Sequence, residues 1–248
     1  MDSAIIIQSL LTVLSAMIGA VVIFLAKLNH KKLCALISFS AGGLLGAAIF
    51  ALIPESLHSL NTLEVILGIL SGYIIFWLLT KYYSHVCPAC SASHFDERTA
   101  KKFSEIVRAL LIALSLHSFL DGVAVSTNDV FENISNASVF IAVLTHKFPE
   151  GLALASLMFS ANYSRQKILV YVLSVEMITV IGAISGSIVL KYYVSEILIN
   201  AMMAHVAGGF IFLSSHAVLG EMFKNHKKLV ISSFSIGLIL ILAISKFV

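Results

Sequence analysis

Apolar residues along this chain come in eight long runs, and polar residues gather in the gaps between them. The runs cover about residues 4–28, 33–57, 63–83, 105–126, 137–160, 167–190, 197–221 and 229–247. A helix needs roughly 20 apolar residues to cross a bilayer, and each run meets that length. The longest polar stretch, around 84–105, is too short to fold as a soluble domain. The pattern predicts an all-α integral membrane protein of eight transmembrane helices, one to eight in chain order. It is a single transmembrane domain over 1–248, with residues 84–104 as a loop between helices three and four. The first run lacks a basic leading segment and a small-residue cleavage site, so it reads as a span and not as a signal peptide.

Composition agrees with the pattern. The chain is 59% hydrophobic and 12% charged, with mean hydropathy +0.99, whereas soluble domains carry about 25% charged residues. The distribution of basic residues predicts orientation. Thirteen of the sixteen Lys and Arg fall in or beside the odd-numbered loops. Lys191 and Lys246 lie on the other side, and Lys147 lies inside helix five. The odd loops are therefore expected to face the cytoplasm, with both termini outside. The net charge of +3 reports this topology and gives no reason to expect nucleic-acid binding.

Two internal echoes organise the chain. In helices four and five, HSFLDGVAV (117–125) reads against HKFPEGLAL (146–154). Each His stands nine residues from its end of the loop between the helices, about 13 Å deep at 1.5 Å per residue. The two motifs thus meet near the midplane. In helices two and seven, 40–56 aligns without gaps to 206–222. Ala41, Gly42, Gly43, Ala51 and Glu55 match Ala207, Gly208, Gly209, Ala217 and Glu221. These helices run in opposite directions, as an inverted-topology repeat requires. The expected arrangement is helices 1–3 and 6–8 related as an inverted repeat around helices 4–5. Gly68/Gly72 and Gly182/Gly186 have the small-xxx-small spacing of close helix packing.

His117, Asp121, His146, Lys147, Glu150 and Glu176 all lie at interior depth. An ionisable group there costs about 2.5–3.5 kcal/mol on insertion scales, so these six must face inward and compensate one another. The i, i+4 spacing puts His117 with Asp121, and His146 with Glu150, on single helix faces. Imidazole with carboxylate suits divalent transition ions; a calcium or magnesium site would be all oxygen. Glu176 on helix six is the fifth candidate ligand. Pro149 removes one backbone hydrogen bond and crowds the carbonyl of Thr145, which can open the helix beside His146.

These paired motifs, the eight spans and the long third loop resemble the ZIP (Zrt/Irt-like) family of divalent-metal transporters. The resemblance implies that His117, Asp121, His146, Glu150 and Glu176 form a central transport site. It also implies ion movement into the cytoplasm, a homodimer, and one group of helices sliding against another. The metal, zinc or else iron, manganese or cadmium, is substrate; no cofactor for catalysis is implied. Besides the ion, the partners expected are the lipid bilayer and a second copy of the chain. Two positions depart from the family pattern. Ser118 stands where members often have Asn, and Lys147 where some carry a residue able to hold a second metal. An ammonium has no lone pair to give a metal. Lys147 is expected to take the place of a second ion: three carboxylates, one ammonium and one divalent ion sum to zero charge. An empty site would favour proton uptake in low dielectric, so proton-coupled release is a working hypothesis.

Further candidates lie along the path and in the loop. Glu55, His58, His205 and Glu221 could pass an ion along; His216 reads better as a core histidine. In the cytoplasmic loop, Cys87-x-x-Cys90 is half of a zinc site by spacing, and His85 and His94 could complete it. Three cysteines make no disulfide framework, and Cys34 reads as a packing residue. The short termini and lack of long His-rich tracts point to a cell (cytoplasmic) membrane. Two rival readings are an intramembrane zinc-dependent hydrolase and a non-transporting metal sensor. A His/carboxylate site with an open position also activates water, but the HExxH of a zinc hydrolase is missing from the sequence.

Overall fold

The computed structural model describes residues 3–25, 30–83, 97–127, 136–188, 195–222 and 227–245. Among them there are eight helical rods and no strands. The first is α1 (Ser3–Leu25). The second, α2 (His30–Ala47), continues through a π-helical stretch (Ala48–Leu52) and a last turn (Ile53–Ser56). Then come α3 (Thr62–Tyr83), α4 (Glu97–Thr127), α5 (Asn136–Ser160), α6 (Arg165–Ile188), α7 (Glu196–Met222) and α8 (Lys227–Ser245). By length and composition, five described segments can cross a membrane: Ser3–Leu25, Cys34–Ser56, Arg165–Ile188, Glu196–Ser215 and Lys227–Ser245.

The helices start and stop for local reasons. α4 begins at Glu97, eight residues before its apolar run. Glu, Arg, Ala and Lys in ERTAKKFS are good helix formers, so the helix outlasts its hydropathy. Asn61 caps α3: its Oδ1 accepts from the Glu64 N–H at 3.0 Å, and Glu64 Oε2 accepts from the Asn61 N–H at 2.8 Å, a reciprocal cap. In α2 the Ile53 N–H reaches back five residues to the Ala48 carbonyl. Pro54 follows, has no N–H and crowds the carbonyl four residues before it. The wider π step relieves that crowding.

The polarity is inside-out. Ile7, Leu67, Leu116, Val170, Ile181 and Ile239 are exposed, while His117, Asp121, His146, Lys147, Glu150 and Glu176 are buried. Lipid, not water, suits such a surface. Two apolar cores divide the bundle. One draws Ala20, Ile23, Leu114, Leu152, Leu154, Met158 and Ile168 from α1, α4, α5 and α6. The other draws Leu44, Ala48, Leu52, Met203, Phe210 and Ile241 from α2, α7 and α8, with Ala124 of α4. α3 packs along α7, and the main joint between the two groups is α2 on α5.

Four helix pairs make the largest interfaces: α4–α6, α2–α8, α1–α5 and α3–α7. Each is held by a reciprocal glycine crossing. A Cβ on Gly19 would enter the Phe148 carbonyl oxygen, and one on Gly151 would enter that of Ala16. Each glycine therefore meets the carbonyl three residues before its partner. The same offset links Gly122 and Gly182 through Thr179 and Phe119, Gly72 and Gly208 through His205 and Ile69, and Gly42 and Gly237 through Phe234 and Phe39. Without a side chain, backbones can touch and trade weak Cα–H···O contacts. Gly151→Ala is expected to lower thermal stability in detergent by about 1–3 kcal/mol, although Ala normally stabilises a helix relative to Gly. An unchanged or raised melting midpoint would count against the crossing.

Candidate metal centre

The cluster is built on adjacent turns of α4 and α5. The i, i+4 spacing stacks His117 over Asp121 and His146 over Glu150, and the α4–α5 contact brings the two stacks together. The four offer donor atoms that all lie within 4.8 Å of one another, and all four residues are buried. Asp121 Oδ2 is the hub. It lies 3.1 Å from His117 Nε2, 3.2 Å from His146 Nε2 and 3.0 Å from Lys147 Nζ. Glu150 Oε2 lies 3.0 Å from Lys147 Nζ and 3.6 Å from His117 Nε2. Two imidazole nitrogens and two carboxylates converging in this way match the ligands and number of a four-coordinate transition-ion site.

Lys147 is fully buried and stands between this cluster and α6. Its Nζ is 3.1 Å from Glu176 Oε2 and donates to Ser118 Oγ at 2.9 Å. The ammonium thus has four oxygen neighbours, from Ser118, Asp121, Glu150 and Glu176. Glu176 is brought to the site through Lys147 and is not one of the four converging donors. Glu150 Oε1 and Glu176 Oε1 have no hydrogen-bond partner among the described residues, so each carboxylate keeps lone pairs in reserve.

Above the cluster, toward the α4–α5 connection, a small cavity reaches Asp121 between Leu52, Ala124, Val143, Met203 and Val206. Phe210 of α7 packs on both imidazoles, its ring centroid 4.7 Å from that of His117 and 5.0 Å from that of His146. Pro149 packs on α2, where its side chain abuts Gly43. The cavity-lining residues and Phe210 escape sequence reasoning, because a lone Phe after two glycines looks like any core residue.

The remaining candidates lie apart from the cluster. Glu55 is half-buried and His58 exposed at the end of α2. His205 is half-buried, and its Nδ1 is 2.8 Å from Ser71 Oγ, which ties α7 to α3. His216 and Glu221 lie on α7, but their side chains fall outside the described residues. The loop residues His85, Cys87, Cys90 and His94 also lie outside them.

Apolar helices wrapped around buried His, Asp and Glu define a polytopic membrane protein with a cluster of metal-ligating side-chain types in its interior. The chain belongs to the ZIP zinc transporter family, whose model matches residues 88–245. The match takes in α4 and α5, which carry the cluster, and α6 to α8. Membership makes it a divalent-metal transporter of the membrane. Comparison with curated proteins gives no match.

Proposed function

We propose that the chain carries zinc, or a similar divalent transition ion, into the cytoplasm through the cluster of His117, Asp121, His146 and Glu150. The observation that carries this reading is the convergence of those four donors in the interior of an apolar bundle. Nitrogen with oxygen donors in a four-coordinate set favours zinc over calcium or magnesium. The cavity above Asp121 offers a way in from the side of the α4–α5 connection. The excess of basic residues in the odd loops makes that side the exterior. Glu55 and His58 stand at the same end of α2 and fit a collecting role there.

The site holds one ion in this reading. Lys147 fills the oxygen pocket shared with Glu176 and Ser118, so the loaded site is neutral. The glycine crossings support the inverted repeat. Pairing α1 with α6, α2 with α7, α3 with α8 and α4 with α5 maps the α1–α5 crossing onto α6–α4, and the α2–α8 crossing onto α7–α3. Gly42 then corresponds to Gly208 and Gly151 to Gly122, as the two sequence echoes require. With the four converging donors all on α4 and α5, in one group of helices, alternating access by one group moving on the other is the fitting mechanism. A homodimer in the cell membrane is retained from the family resemblance.

Zinc uptake into proteoliposomes made with the purified chain tests the function. Uptake above that of protein-free vesicles is expected. A chain that binds zinc but moves none would return the sensor reading, and zinc-dependent cleavage of a substrate without uptake would return the hydrolase.

A further inference from the structure

Three facts meet at Phe210. It is 1% exposed and sits on α7, a helix that gives the cluster no donor among the described residues. Its ring stands edge to face against both imidazoles, at 67° to His117 and 71° to His146. The imidazole centroids are 5.4 Å apart, so one ring braces the pair. The third fact concerns what holds His146. A metal-binding imidazole ordinarily gives its second ring nitrogen to an acceptor, which fixes the turn of the ring. His146 Nδ1 is buried and has no hydrogen-bond partner among the described residues. The χ2 torsion of His is broad and roughly two-fold. The only described polar contact of His146 is that of Nε2 with Asp121 Oδ2 at 3.2 Å, on the side an ion would occupy, so no polar partner among the described residues holds the ring from the Nδ1 side.

We propose that Phe210 is a positioning residue for the transported ion: its ring supplies the restraint that an acceptor at His146 Nδ1 would otherwise give, and keeps both Nε2 atoms aimed at the cluster. The proposal rests on the reading of His117, Asp121, His146 and Glu150 as the ion site. It also makes Phe210 a determinant of specificity. Zinc draws on nitrogen ligands in tetrahedral geometry, whereas manganese is well served by carboxylates and water. Loosened imidazoles should therefore cost zinc more than manganese.

The test uses the full chain purified in detergent. Zinc and manganese affinities are measured by competition with a fluorescent chelator, and bound cobalt reports ligand geometry through its visible spectrum. Phe210→Leu fills much of the volume without a ring, Phe210→Met is a second ringless variant, and Phe210→Tyr keeps the ring. The ringless variants are expected to weaken zinc about 10–100-fold, the range for outer-shell partners of a metal-binding His. They should leave manganese within a few-fold and alter the cobalt spectrum, while Phe210→Tyr restores both zinc affinity and spectrum. Wild-type zinc affinity and spectrum in Phe210→Leu or Phe210→Met would overturn the proposal. So would equal losses for zinc and manganese, which mark a general structural defect. Equal zinc binding by the native chain and His146→Ala would overturn the ion-site reading itself, and the proposal with it.

Discussion

Zinc uptake by proteoliposomes is expected to fall to background when His146 is replaced by Ala or Glu150 by Gln. His146 provides one of two nitrogens in the cluster, and its Nε2 lies 3.2 Å from the shared Asp121 Oδ2. Glu150 Oε2 is within 3.6 Å of His117 Nε2, so its loss opens the side of the site that faces α4. Neither has a described substitute: Glu176 is held off by Lys147. The comparison that sharpens the test is Glu176→Gln. If Glu176 acts through Lys147 and does not bind the ion, this variant keeps measurable uptake where Glu150→Gln does not. Undiminished transport in His146→Ala would remove the cluster from the pathway. Complete loss in Glu176→Gln would put the fifth ligand back into the site.

The second large effect is expected at Lys147. Its ammonium faces Asp121, Glu150 and Glu176 at 3.0, 3.0 and 3.1 Å. Lys147→Met keeps the bulk and removes the charge, leaving three buried carboxylates without their cation. Removing one partner of a buried ion pair costs about 3–5 kcal/mol, so the metal-free variant should melt well below the native chain. Added divalent ion should restore much of that loss, because an ion that binds only the folded state stabilises it by about 2.7 kcal/mol at one hundred times its Kd. The oxygen pocket vacated by the ammonium is then free for a second ion. Metal analysis should find one bound ion per native protomer and two per Lys147→Met protomer. Two ions in the native midplane site would contradict the role given to Lys147, as would a variant that stays stable without metal.

The spans were legible because hydropathy reports what lipid demands, and α1, α6 and α8 fall within a few residues of their apolar runs. The clustering of the two pairs was legible for a related reason: His117 with Asp121, and His146 with Glu150, are too costly in lipid to be incidental, and i, i+4 spacing fixes their common face. Helix length in water was not legible, since hydropathy stops at the membrane while ERTAKKFS continues α4. The rank of Glu176 was also hidden. Its depth marked it as part of the site, but only three-dimensional packing places Lys147 between it and the other donors. Phe210 left no trace, because an apolar residue in an apolar helix carries no signal of what it touches. The offset of the glycine crossings depends on which helices are neighbours, which the small-xxx-small spacing alone does not tell.

Under the proposed inverted repeat, the π stretch in α2 bears on how the two halves of the chain would have diverged. Residues 40–56 and 206–222 align without a gap, yet α2 widens at Ala48–Leu52 while α7 is α-helical throughout. A step that reaches back five residues instead of four retards the helix by about one residue's turn. Beyond it, Glu55 no longer occupies the angular position that Glu221 has on α7. Under the proposed repeat, two copies of one ancestral helix became different in shape with no residue gained or lost. In that reading the innovation is a change of hydrogen-bond step, which a comparison of the two halves by sequence would score as no change at all.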